Sequence, residues 1–95
     1  MGKFEALPIN KFMTDAKQKV RQFVVSNFLF GQDNGLAEND SFLGKGIVDS
    51  TGVLELVAFA ESEFGVKVED SDLTPENFDS INAVASYLDR KLGGK

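Results

Sequence analysis

This 95-residue sequence predicts an all-α fold: a small four-helix bundle, three main helices plus one short one, with a long loop between the first two. Three observations point that way. Apolar residues recur at steps of three and four in three separate windows. Each window is bounded by residues that start or stop helices. No stretch alternates apolar and polar residues well enough to read as a strand.

The first helix is expected over roughly 11–29. Phe12, Ala16, Val20, Phe23, Val24 and Phe28 form one stripe, with Asn10 as candidate N-cap and Gly31 just past the end. Residues 30–48 then make a long, glycine-containing connection. A loop of that length in a small domain is expected to be functional or pinned to the core, and Phe42-Leu43 and Ile47-Val48 are the expected pins. The second helix starts near Ser50, with Val53, Leu56, Val57, Ala60 and Phe64 on its stripe, and stops at Gly65. Val66 and Val68 read as an extended linker. Thr74-Pro75-Glu76-Asn77 supplies an N-cap, a proline at N1 and a short turn ending at Phe78. The last helix carries Ile81, Val84, Ala85, Leu88 and Leu92 and closes at Gly93. The folded domain is thus expected over 11–92, with residues 1–10 an arm or a cloning remnant and 93–95 a tail.

Composition excludes much chemistry. The chain has no cysteine and no histidine. Disulfides, thiolate nucleophiles and cysteine-ligated zinc are therefore ruled out, as is an internal Ser-His-Asp triad. Net charge is −5, but residues 25–89 hold thirteen acids against Lys45 and Lys67, a local −11. Such a body repels nucleic acid and anionic membrane and steers towards basic protein surfaces. No apolar run is long enough for a membrane span, and the N-terminus lacks a signal-peptide pattern, so a cytoplasmic protein is expected. Crowding of Glu61, Glu63, Glu69, Asp70, Asp72 and Asp79 suggests that added salt stabilises the fold.

Several motifs fail on inspection. Phe30 and Ser41 stand where a calcium loop needs its first and last ligands. Gly44-Lys45-Gly46 lacks both the third glycine and the preceding strand of a dinucleotide turn. Val48-Asp49-Ser50-Thr51-Gly52 is half a nucleophile elbow with no histidine to follow.

The chain contains four Asp-Ser pairs. Asp40-Ser41 and Asp79-Ser80 read as caps, and Asp70-Ser71 as a polar turn. Asp49-Ser50 differs in setting. An anchoring apolar pair precedes it and an amphipathic helix with acidic flanks follows, which places Ser50 at an exposed helix start where a phosphate is favoured.

The run from Gly46 to Gly65, GIVDSTGVLELVAFAESEFG, closely resembles the acyl carrier proteins in its Asp-Ser motif and its Glu-Leu-Val and Glu-Phe-Gly elements. The likeness extends from the first helix to Leu92 and includes Leu-Thr-Pro-Glu-Asn-Phe at 73–78. It implies that Ser50 bears a 4′-phosphopantetheine arm from coenzyme A, attached by a separate phosphopantetheinyl transferase, with Asp49 as a possible metal or transferase contact. It implies a carrier rather than an enzyme, a mobile monomer that hands acyl cargo between a loading ligase and acyl transferases or synthases. Aminoacyl or peptidyl cargo is the close alternative, and an unmodified helical adaptor the alternative of another class. Glu55 and Glu61 match the family's docking acids, followed by Glu63. Thr51, Gly52, Ala58 and Ser62 depart from the usual residues of the recognition face. That points to a specialised carrier, with Gly52 read as room for a partner's close approach at a cost of about 0.5–1 kcal/mol relative to Ala.

Overall fold

The computed structural model describes residues 11–33 and 35–92. The described residues form α1 (Lys11–Phe28), α2 (Ser50–Phe64), a 3₁₀ turn (Asp70–Asp72), α3 (Pro75–Phe78) and α4 (Ile81–Leu92), with no strand among them. The expected cap Asn10, arm 1–10 and tail 93–95 lie outside the described residues.

Helix α1 packs on α2 and α4, and α3 on α4. The stripes meet as expected: Val20 and Val24 of α1, Leu56 of α2, and Ile81, Val84 and Leu88 of α4 are fully buried together. An aromatic seam closes the α1–α2 side. Phe12 meets Phe64 edge-on at 5.9 Å, Phe64 meets Phe59 at 6.0 Å, and Phe59 stacks on Phe23 at 4.4 Å. Such ring pairs add to their area burial. Phe59 lies off the expected α2 stripe and enters the core's edge through this seam. In α4, Tyr87 turns inward while Leu92, in the final turn, stays 46% exposed.

The helix ends follow backbone chemistry. Gly65 takes a left-handed φ of 71° and its N–H donates to the Glu61 carbonyl, ending α2. At the end of α1 the Gly31 N–H reaches back to the Val25 carbonyl at 2.8 Å, a six-residue closure. Here Phe30, one residue before the glycine, holds a left-handed φ of 56°. Thr74 and Pro75 open α3 as expected, although the Thr74 hydroxyl makes no capping bond.

The long loop is pinned as its length requires, by Leu36, Phe42 and Val48 in the core. Leu43, one of the expected pins, is instead 44% exposed. Asp79 supplies the missing anchorage. Its carboxylate accepts from the Leu43 N–H at 2.8 Å and from the Ser41 hydroxyl, and its carbonyl accepts from the Phe42 N–H at 2.8 Å. Ser80 alone caps α4, accepting from the Ala83 N–H at 3.0 Å. The Asp79-Ser80 pair therefore divides its work between a clamp and a cap. Ser41 also accepts from the Gly44 N–H at 2.9 Å, so it caps the turn that follows, the role read for it from the sequence.

Candidate functional site at the start of the second helix

Asp49 has extended backbone, and its Oδ1 accepts from the Gly52 N–H at 2.7 Å, which makes it the N-cap of α2. Ser50 is the first residue of the helix and is exposed. Buried Val48 fixes the incoming chain. The Ser50 hydroxyl thus projects from a rigid corner, and among the described residues it has no hydrogen-bond partner. The first turn of α2 offers backbone N–H groups and the positive end of the helix dipole to an attached phosphate.

Histidine and cysteine are absent from the sequence, and no group of three metal-ligating side chains occurs among the described residues.

An open groove of about 260 Å³ starts at Ser50 and runs between α2 and the α3 segment. Leu43, Val53, Leu54, Leu73, Pro75 and Phe78 give it an apolar lining, with Thr74 and Asp79 at its polar edge. Leu54 is 60% exposed. Sequence reasoning placed Val53 on the core stripe and missed the groove. The available signal was Leu54, an apolar residue off the stripe and four positions from the serine.

The residues expected to meet partners do not share one environment. Thr51, Glu55, Ala58 and Ser62 are exposed. Glu55, Ala58 and Ser62 line a second groove, of about 360 Å³, together with Phe23 and Asn27 of α1. Gly52 is buried. A Cβ there would lie 2.9 Å from Phe28 Cε1 and 3.0 Å from Val48 Cγ1, so the close approach its missing side chain permits is internal. Glu61 is half-buried, and its Oε2 accepts from the Val68 N–H at 2.9 Å, tying α2 to the segment that follows. Glu63 pairs with Lys19 of α1 at 2.7 Å and holds the lysine's pKa above its ordinary value. Of the three acids on α2, only Glu55 has no partner among the described residues.

The described residues thus form a small helical bundle with an exposed serine at a helix start beside an apolar groove. No family model matches the chain. Over 70 residues it is 34% identical to an acyl carrier protein of Thermotoga maritima, covering 74% of this chain and 84% of that relative. It is 32% identical over 77 residues to an acyl carrier protein of Zymomonas mobilis, covering 81% of this chain and 95% of the relative. A D-alanyl carrier protein of Leuconostoc mesenteroides is 24% identical over 79 residues, covering 83% and 99%. The chain belongs to the acyl carrier protein family. No described helix is long and apolar enough to cross a membrane.

Proposed function

We propose that this chain is a discrete carrier whose Ser50 bears a 4′-phosphopantetheine arm and which shuttles acyl cargo in a specialised cytoplasmic pathway. The observation that carries the reading is Ser50 itself: exposed, without a hydrogen-bond partner among the described residues, and set at a helix start in a chain of this family. In the transfer, the Ser50 oxygen bonds to the phosphorus next to the pantetheine of coenzyme A. The pyrophosphate P–O bond breaks, adenosine 3′,5′-bisphosphate leaves, and a base on the transferase takes the hydroxyl proton. The absence of histidine fits a serine that relies on that outside base.

The residues present suit the group. The α2 N-terminus favours its phosphate, and Asp49, with Oδ1 committed to Gly52, has Oδ2 left to complete a magnesium site in the transfer complex. When bound, the arm supplies a terminal thiol that holds cargo as an activated thioester. The groove of Leu43, Leu54 and Leu73 can cover an apolar tail beside Ser50.

Aminoacyl cargo is the second reading, favoured by the likeness to a D-alanyl carrier and by the small Ala58 and Ser62 on the exposed face of α2. Intact mass after incubation with coenzyme A and a broad-specificity transferase tests the carrier class. The wild type should gain one arm and Ser50→Ala none. No gain on the wild type would leave the unmodified adaptor. Loading by candidate ligases separates acyl from aminoacyl cargo, and efficient elongation by a general fatty-acid synthase system would remove the specialised assignment.

A further inference from the structure

Phe30 is the most exposed large apolar residue described, with 92% of its surface in water. It also sits in left-handed backbone, φ 56°, where helices commonly put glycine because a Cβ is unfavourable there. A glycine is at hand one residue later, so the strain is not forced by want of one. Among the described residues the ring makes no ring contact and belongs to no buried cluster.

Its place is informative. Phe28, two residues earlier, lays its ring against Gly52, two residues after Ser50. The end of α1 and the start of α2 therefore form one end of the bundle. Two exposed acids lie at that start of α2, its N-cap Asp49 and Glu55, and neither has an ion-pair partner among the described residues. An isolated aromatic ring at the same end of the bundle as unpaired acids suits a surface with an apolar pocket and a basic rim.

Resting on the carrier reading, we infer that Phe30 is a docking anchor for the phosphopantetheinyl transferase, whose basic-rimmed surface takes the ring while Ser50 reaches the bound coenzyme A. The transferase is the natural occupant because its chemistry happens on the Ser50 oxygen itself. Partners that act on the far end of an arm need not touch this corner.

Initial rates of arm transfer, read by intact mass at varied carrier concentration with a broad-specificity transferase and coenzyme A, test the inference on the full chain. Phe30→Gly should raise KM about tenfold with kcat little changed, the loss expected of a truncated anchor. The same variant should melt about 4 °C or more above the wild type, because glycine relieves the backbone. Phe30→Trp should keep a near-native KM. An unchanged KM in Phe30→Gly would overturn the inference, as would a lowered Tm, which would make the ring structural. So would sedimentation showing a wild-type dimer that Phe30→Gly dissolves, since the ring would then serve self-association. A wild type that accepts no arm fails the carrier reading itself. A wild type that accepts it equally well without Phe30 fails only the anchor.

Discussion

The Tyr87 hydroxyl donates to Asp72 across 2.7 Å, hanging the segment before α3 on the last helix. Lys91 stands 3.7 Å from the same carboxylate, and Asn77 Nδ2 donates to the Asp72 carbonyl at 2.8 Å. The latch holds Leu73, next in sequence, as one wall of the groove beside Ser50. Tyr87 donation, more than Lys91, lowers the Asp72 pKa from its ordinary 3.8, while burial and then Asp72 raise that of Tyr87 above its ordinary 10.0. The depressed carboxyl contributes stability present above its unfolded pKa and lost as pH falls through the folded value. The raised phenol contributes stability present below its unfolded pKa and lost as pH climbs past it. Thermal melts should therefore be flat with respect to this pair between about pH 4 and 10. Tyr87→Phe should flatten the alkaline limb and weaken the acid one, and melts across the pH range check both.

Gly52→Ala should destabilise the fold even though alanine is the better helix former. The new Cβ would overlap the Phe28 ring and Val48, and overpacking of this kind costs about 1–3 kcal/mol. The propensity gain returns at most about 1 kcal/mol. A net loss of about 1 kcal/mol follows from denaturant melts, and Phe28→Leu in the same chain should recover part of it. Equal stability of wild type and Gly52→Ala would return Gly52 to the role of an opening for partners.

That reversal shows where sequence reading stopped. Helix stripes, stops and the serine corner were legible because they depend on local spacing and caps: Val20, Val24, Leu56, Val84 and Leu88 are buried as their periodicity requires. Contacts distant in sequence were not. Gly52 faces a ring 24 positions earlier, Asp79 clamps Ser41, and Phe59 joins a seam with Phe23, none of which any spacing encodes. The salt expectation changes for the same reason. Glu61, Glu63, Asp72 and Asp79, treated as mutually repelling acids, each accept a hydrogen bond or ion pair within the fold. Screening weakens those attractions along with the repulsions, so a large gain from salt is no longer expected.

Glu61 divides structural from docking roles. Glu61→Ala leaves the Val68 N–H without its acceptor and should cost about 1 kcal/mol. Glu61→Gln keeps an acceptor at that place and should melt within about 0.5 kcal/mol of the wild type while losing the charge. If the acid also docks partners, Glu61→Gln alone will slow arm transfer in a folded protein. Transfer rates unchanged in Glu61→Gln, with stability lost in Glu61→Ala, would make Glu61 a strut and leave Glu55 as the docking acid of α2.

Asp49 separates capping from cation binding by the same logic. Asp49→Ala removes the acceptor for the Gly52 N–H and should lower stability by about 1 kcal/mol. Asp49→Asn and Asp49→Ser are good caps and should stay close to the wild type. A carboxylate that completes a magnesium site is another matter, because the neutral amide is the weaker ligand for a hard cation. Asp49→Asn should then need more magnesium for half-maximal arm transfer at unchanged melting temperature, read as mass gain against magnesium concentration. The same magnesium dependence in wild type and Asp49→Asn would confine Asp49 to the cap and place the whole cation site on the transferase.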